Sequence, residues 1–125
     1  MLHSDVTGKI LRAFYTVYNE LGYGFLKKNY EKAMMIELKK MNLNCKAQEP
    51  ISVYYDNEKI GTYFADLVVE EKVIVELKAC TCIAPEHEVQ LLNYLRATRV
   101  EVGMLLNFGN KPEFKRKVFA NERKA

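Results

Sequence analysis

Three charged residues stand inside two short runs that are otherwise apolar, in the stretch 63-YFADLVVEEKVIVELKA-79. Asp66 is in the first run, and Glu76 and Lys78 are in the second. Side chains alternate along a strand, so Glu76 and Lys78 share one face, about 6.6 Å apart. A tight turn between the runs brings Asp66 opposite or nearly opposite Glu76. Two partly buried carboxylates that close are stable only when one takes a proton or a cation lies between them.

A divalent metal ion is the simplest cation for such a pair. Mg²⁺ binds through one or two protein carboxylates, several water molecules and substrate phosphate oxygens, and Mn²⁺ suits the same ligands. Lys78 beside the ion would stabilise the charge on a phosphate or orient an attacking water molecule. Alternating Val-Glu-Leu-Lys is also typical of any half-exposed strand, so the prediction depends on Asp66 upstream and on the helix downstream.

That helix is predicted over 85–99, where proline at the first helical position and two early glutamates suit a helix N-terminus. Gln90 and Tyr94 are one turn apart, and His87 lies one turn earlier on roughly the same side. Both Gln90 and Tyr94 are therefore predicted to reach a group bound over Glu76. The alternative is that the polar residues are solvated and the tyrosine ring is packed.

The remaining elements predict an α/β fold with a central mixed β-sheet, an antiparallel meander plus a crossover strand, flanked by helices. Period-3.6 apolar patterns predict two helices hinged on 22-GYG-24, and period-2 patterns predict the strands. The helices are expected over 5–22 and 25–42, and the strands over 44–55, 60–70, 72–79 and 101–109. The strand–helix–strand order predicts that the last strand lies parallel to an earlier one. The tail is expected to begin as a short helix around Phe114, Val118 and Phe119.

Length and composition predict one domain, residues 1–125, of an ordinary globular kind. The net charge of +3 gives no field strong enough to indicate nucleic acid on its own. No apolar run approaches the length of a membrane-spanning helix, so no membrane partner is expected. Three cysteines without paired metal spacing, and no signal peptide, predict reduced thiols in a cytoplasmic protein. Homodimer formation stays open.

Asp66, then Glu76-Leu77-Lys78, then Gln90-x-x-x-Tyr94 resembles the PD-(D/E)XK nuclease superfamily, with the Gln–Tyr pair of its RecB-like branch. More closely, five ordered blocks are similar to the small bacterial and archaeal GxxExxY family. These blocks are 7-TGKIL-11, 19-NELGYGFLKKNYEKA-33, 63-YFADLVVEEKVIVELKA-79, 87-HEVQLLNYL-95 and 103-GMLLNFG-109. The resemblance covers nearly the whole chain.

The resemblance implies a restriction-endonuclease-like fold and a Mg²⁺- or Mn²⁺-dependent nuclease that acts on nucleic acid, DNA in preference to RNA. It implies Asp66 and Glu76 as metal ligands and Lys78 as the catalytic lysine, supported by Gln90 and Tyr94. Glu20 matches another acidic position of the family block and is a candidate additional ligand. Glu31 is a weaker substitute for it.

One position of the signature differs, because the motif is Gly24-x-x-Lys27-x-x-Tyr30, with lysine where the family has glutamate. A cation near the site would repel a metal ion. Two functions therefore stay open: a metal-dependent nuclease weakened by Lys27, or a catalytically inactive nucleic-acid-binding or assembly module on the same fold.

Overall fold

A computed structural model describes residues 1–124. Its elements follow in the order α1 (Ser4–Leu21), α2 (Lys27–Lys40), β1 (Cys45–Tyr55), β2 (Glu58–Val69), β3 (Val73–Lys78), α3 (Pro85–Arg96), β4 (Val102–Phe108) and β5 (Pro112–Val118), and a 3₁₀ turn at Asn121–Arg123. None of the helices within these residues combines the length and the apolar character that a membrane crossing requires.

The five strands form one sheet in which spatial order follows chain order, β1-β2-β3-β4-β5. Neighbouring strands are antiparallel except β3 and β4, which are parallel. A parallel pair needs a crossover connection, and α3 supplies it. The predicted mixed sheet, an antiparallel meander plus a crossover strand flanked by helices, is confirmed.

Helices cover both faces of the sheet. On one face, α1 and α2 pack through a buried stripe that includes Phe14, Tyr30 and Met34. On the other face, α3 packs through Leu91 and Leu95. The strand β4 is buried along its whole length and contributes to both cores. A ligand can therefore reach β2 and β3 only where the helices leave the sheet uncovered.

The predicted hinge between α1 and α2 lies at Gly22 and Gly24. Their φ angles of 66° and 106° fall in the left-handed region, which glycine adopts without steric cost. The Tyr30 hydroxyl donates a hydrogen bond to the Gly22 carbonyl at 2.7 Å, which ties the start of α2 to the hinge. This tie determines where Lys27, the first residue of α2, lies relative to the sheet.

The segment after Asn110 differs from its prediction, because a strand replaces the short helix expected around Phe114, Val118 and Phe119. β5 pairs with β4, and Phe114 lies opposite Leu106. Without β5, the fully buried strand β4 would have an unpaired edge, and its backbone groups would lack partners. Tertiary pairing thus overrides the i, i+4 spacing of apolar residues that suggested a helix.

Candidate active site

The strands β2 and β3 pair over only three positions next to their turn, and then they separate. At the first unpaired position Asp66 faces Glu76. The Asp66 amide donates to Glu76 Oε2 at 2.8 Å, and the Leu77 amide donates to Asp66 Oδ2 at 2.8 Å. Each carboxylate satisfies a buried backbone amide that has no strand partner. This crossed pair of hydrogen bonds fixes the two acids side by side at the open end of the hairpin.

The separation coincides with a switch of face in the neighbouring strand β1. Cys45 and Ala47 pack with the α1–α2 core, whereas Ile51 packs with the α3 core. In a regular strand these three side chains would share one face. Between them Gln48 has a φ of 53°, an uncommon conformation for a residue other than glycine, and its register position lies across from Asp66. The left-handed conformation of Gln48 thus interrupts the regular strand β1 beside the acids.

Burial and mutual repulsion determine the protonation of the two acids. Asp66 and Glu76 are each only 3% exposed. Burial, and then the negative charge of Asp66, raises the pKa of Glu76 to about 7, although the Asp66 amide, Lys27 and Lys78 oppose the shift. An ordinary glutamate has a pKa near 4.3. Near neutral pH the pair therefore takes up a proton or attracts a cation in its place.

One cation of the protein already lies at this pair. The Lys27 ammonium is 2.9 Å from Asp66 Oδ1. The side chain of Lys27 is 43% exposed, whereas that of Asp66 is 4% exposed. Lys27 therefore reaches the buried acid from the solvent side.

A second acid comes close to the pair from one turn into α2. Gln48 Nε2 donates to Glu31 Oε2 at 2.9 Å and is 3.4 Å from Asp66 Oδ1. Glu31 is thus one side chain away from Asp66. Glu20, the other candidate ligand, instead lines a shallow groove between α1 and α2. The structure brings Glu31 towards the acids and does not bring Glu20 there.

Lys78 and Tyr94 lie near the pair, and Gln90 lies one turn from Tyr94 on α3. Lys78 ends β3, and its positive charge acts to lower the pKa of Glu76. Tyr94 is buried, and burial together with the charges of Glu76 and Asp66 raises its pKa to about 12. The phenol therefore stays protonated at physiological pH. Gln90, one turn before Tyr94, lines the same groove along α3.

His87, the third polar residue of the predicted stripe, has a different role. Its Nδ1 accepts a hydrogen bond from the Ala84 amide at 3.0 Å, at the start of α3. This bond satisfies an amide outside the helical ladder and stabilises the helix start. His87 therefore helps to place α3 and stands apart from the acids.

A buried amide that sequence reasoning missed holds the chain behind Lys78. Asn107 lies beside Lys78 in the β3–β4 register, accepts from the Cys80 amide at 3.0 Å and donates to the Cys80 carbonyl at 2.9 Å. A Cβ at Gly109 would collide with that carbonyl, so only glycine fits there. The one signal in the sequence is a single amide inside the apolar run 103–109.

The donor set can be tested against the metal ion that the chemistry calls for. Within residues 1–124 there is no group of three or more His, Cys, Asp or Glu side chains able to hold a metal. Mg²⁺ and Mn²⁺ do not need one, because water and substrate oxygens complete their coordination. Asp66 and Glu76 supply two carboxylates, and because burial and then the charge of Asp66 raise the pKa of Glu76, a cation at the pair would favour its ionised form. The pair fits such an ion once Lys27 withdraws.

Comparison with known proteins places the chain by family and by fold. A family model described as the PD-(D/E)XK nuclease superfamily matches residues 4–117. No curated protein matches the sequence. Among solved structures, the crystal structure of SSO0001 superposes with a TM-score of 0.58 and 17% identity over 75% of this chain, which shows a common fold. The chain spans 50% of the length of that protein.

The family match includes all the elements that surround the acids, from α1 to nearly the end of β5. It covers Asp66, Glu76 and Lys78, and Gln90 and Tyr94 on α3. The chain therefore belongs to the PD-(D/E)XK nuclease superfamily.

Proposed function

We propose that this protein hydrolyses phosphodiester bonds in nucleic acid with the help of Mg²⁺ or Mn²⁺ held by Asp66 and Glu76. The observation that carries the proposal is the pair of buried carboxylates, fixed side by side by the crossed hydrogen bonds, with Lys78 two residues further along β3. Burial of two like charges is costly unless a cation compensates for them. Membership of a nuclease superfamily supports the same chemistry.

The acids have one task in this mechanism, which is to bind the ion. A bound divalent ion supplies Lewis-acid stabilisation of the phosphate and lowers the pKa of a water nucleophile. Asp66 and Glu76 each use one oxygen to accept a backbone amide, which leaves a second oxygen on each that would be able to hold the ion. The backbone bonds hold these oxygens in place, which limits the reorganisation needed on binding.

Lys78, Tyr94 and Gln90 act on the substrate. The Lys78 ammonium neutralises negative charge that develops on the scissile phosphate or orients the attacking water. Because the pKa of Tyr94 is raised to about 12, its phenol is a hydrogen-bond donor over the whole working pH range. The Gln90 amide, on the same side of α3, offers a further donor and acceptor.

A second candidate function is favoured by one specific contact, the ion pair between Lys27 and Asp66 at 2.9 Å. If Lys27 holds Asp66 permanently, no metal binds, and the fold serves as a nucleic-acid-binding or assembly module without catalysis. Such a module would bind nucleic acid with a steep dependence on salt and would cut nothing.

Several finer assignments belong to the same proposal. We assign the chain to the GxxExxY branch on its sequence blocks, with Lys27 at the position of the branch glutamate. We take residues 1–125 as one nuclease-like domain that acts in the cytoplasm, where its free cysteines would stay reduced. DNA is the expected substrate, and assays with matched DNA and RNA decide between the two.

The proposal is tested by cleavage assays with plasmid DNA, labelled single-stranded and duplex DNA, and RNA, in Mg²⁺, in Mn²⁺ and in EDTA. Wild-type protein should cut in either metal and not in EDTA. Lys78→Ala should lower the rate about a hundredfold to a thousandfold, since removal of one preorganised charge-stabilising donor typically has that effect. Asp66→Asn should abolish metal-dependent cutting.

Lys72→Ala is the matched control, because Lys72 is an exposed lysine in the turn directly before β3, and this variant should cut like wild type. Cutting that persists unchanged in Asp66→Asn would come from a contaminant and would count against the proposal. Binding without cutting in every metal would establish the second candidate.

A further inference from the structure

A groove of about 660 Å³ lies between α3 and the part of β1 and β2 that continues beyond the acids. There the two strands pair only with each other, because β3 pairs with β2 no further than Leu67. They form a two-stranded arm that faces one side of α3. The volume is within the range of roughly 300–1,000 Å³ typical of small-molecule sites.

Aromatic rings and amides line this groove. Tyr63 on the arm and Tyr94 on α3 have ring centroids 6.0 Å apart at an interplanar angle of 44°. Tyr63 is 50% exposed, and Tyr54 on the same arm is 62% exposed. Gln90 and Asn93 present amide side chains from α3. Flat rings beside paired donors and acceptors are the chemistry that recognises a nucleobase by its face and its edge.

We propose that the groove binds an unstacked nucleobase of the substrate, so that single-stranded nucleic acid is the substrate of the adjacent acids. The inference rests on the proposed function. A duplex keeps its bases stacked and offers no free face to Tyr63, whereas a single strand offers one at every residue. Amides that can both donate and accept suit base edges in general.

The charges in the groove favour an unstacked nucleobase over the phosphate backbone of a duplex as the bound group. One cation, Arg96, and one anion, Glu86, line it, so the groove carries no row of cations for a phosphate backbone. Arg96 already lies 5.3 Å from the Phe119 ring centroid. Binding there must therefore come mainly from stacking and hydrogen bonds.

Tyr94 connects the groove to the candidate active site. It lines the groove, and it packs in the same buried cluster as Ala65, the residue next to Asp66 on β2. A base stacked on Tyr63 would thus belong to a nucleotide beside the scissile phosphate. Substrate positioned by a neighbouring base gains the geometric advantage of a near-attack arrangement.

The test is binding of single-stranded DNA and RNA oligonucleotides that carry 2-aminopurine at successive positions, in EDTA, so that no cutting occurs. A stacked 2-aminopurine loses fluorescence, and the chain contains no tryptophan to interfere. Wild-type protein should quench the probe and bind single strands more tightly than duplex. Tyr63→Ala should weaken single-strand binding about 5- to 150-fold and abolish the quenching, as expected for loss of one stacking platform.

Tyr63→Phe keeps the ring and should bind like wild type, which separates stacking from a folding defect. Tyr55→Ala is the matched control, because Tyr55 is 69% exposed on the same arm and is not among the groove residues. Equal weakening by Tyr55→Ala, equal binding of duplex, or no binding at all would overturn the inference. Failure of the proposed function is distinct, since it appears as intact, Tyr63-dependent binding without cutting in Mg²⁺ or Mn²⁺.

Discussion

The two ends of the β2–β3 hairpin are built from the same two strands in opposite ways. At the turn end, three pairs of apolar residues from Val69 and Val73 to Leu67 and Val75 form a regular ladder. At the open end, the carboxylates of Asp66 and Glu76 replace the missing ladder partners of two amides. At the turn end, backbone groups hydrogen-bond to each other. At the open end, carboxylates accept the hydrogen bonds of the backbone amides.

The difference shows that placing acids where two strands separate holds the carboxylates rigidly but lowers stability. A carboxylate that accepts a buried amide is held rigidly, but two such acids side by side repel each other. The raised pKa of Glu76 measures that repulsion together with the cost of burial. Functional sites commonly store instability of this kind, and a bound cation or substrate releases it. The turn end stabilises the protein, whereas the buried, repelling acids at the open end destabilise it.

The largest expected effect is on the pH dependence of the free energy of unfolding in the absence of metal. The pKa of Glu76 in the folded protein, about 7, exceeds the ordinary value of 4.5, so the folded protein binds the proton more tightly than the unfolded chain. This stability is complete below about pH 4.5 and is lost as pH rises through about 7. Its size is roughly 3 kcal/mol.

Urea unfolding in EDTA, compared between wild type and Glu76→Gln, measures the effect. The free energy of unfolding of Glu76→Gln, relative to wild type, should increase by roughly 3 kcal/mol from about pH 5 to about pH 8.5, because glutamine keeps the acceptor oxygen and removes the charge. Glu71→Gln, at the exposed turn end, should show no such growth. A constant difference for Glu76→Gln would mean that the acids are not strained.

The sequence predicts the turn end better than the open end, for a physical reason. Two apolar runs separated by Glu70-Glu71 specify a hairpin, and a short turn limits the register enough to place Asp66 across from Glu76. Glu70, Glu71 and Lys72 connect the strands, and the first two adopt a φ of 55°, in the left-handed region. All of this information is local.

The contacts around the acids are not local, and periodic patterns in the sequence do not determine them. The family motif indicated a cation near the site, but the contact of Lys27 with Asp66 depends on where α2 packs on the sheet, which no pattern within α2 specifies. The left-handed Gln48 and the buried Asn107 have no periodic signature either. The prediction of a helix at β5 is wrong because pairing with β4, and not the spacing of its own apolar residues, determines the conformation of β5.

A second prediction concerns the cation at the open end. Lys27→Glu should raise the affinity for Mg²⁺ about a hundredfold and Lys27→Met about tenfold, because the ammonium beside Asp66 Oδ1 competes with the ion. The melting temperature, measured against metal concentration, reports the affinity, since a ligand of the folded state stabilises it in proportion to occupancy. In EDTA, Lys27→Glu should melt lower than wild type, since Asp66 then has no cation.

Lys28→Glu is the matched control for Lys27→Glu, because it makes the same change of charge at the next residue of α2, which has no ion pair with Asp66 among residues 1–124. A comparable gain in Lys28→Glu would show that overall charge, and not the contact, controls the affinity. Cutting that appears only in Lys27→Glu would identify a site whose catalysis Lys27 suppresses.

The smallest effect is expected at the turn end, where the two glutamates have the same φ but different contacts. Glu71 makes only an exposed ion pair with Lys46 at 3.2 Å, so Glu71→Gly should relieve the left-handed strain and stabilise the protein by about 0.5 kcal/mol. Glu70 accepts the Asn44 amide at 2.6 Å, so Glu70→Gly should bring no gain. Urea midpoints distinguish the two variants.

Because the turn and the acids share no partner, Glu71→Gly should leave the Mg²⁺-dependent rise in melting temperature unchanged, and a shift in that rise would show that the two ends are coupled.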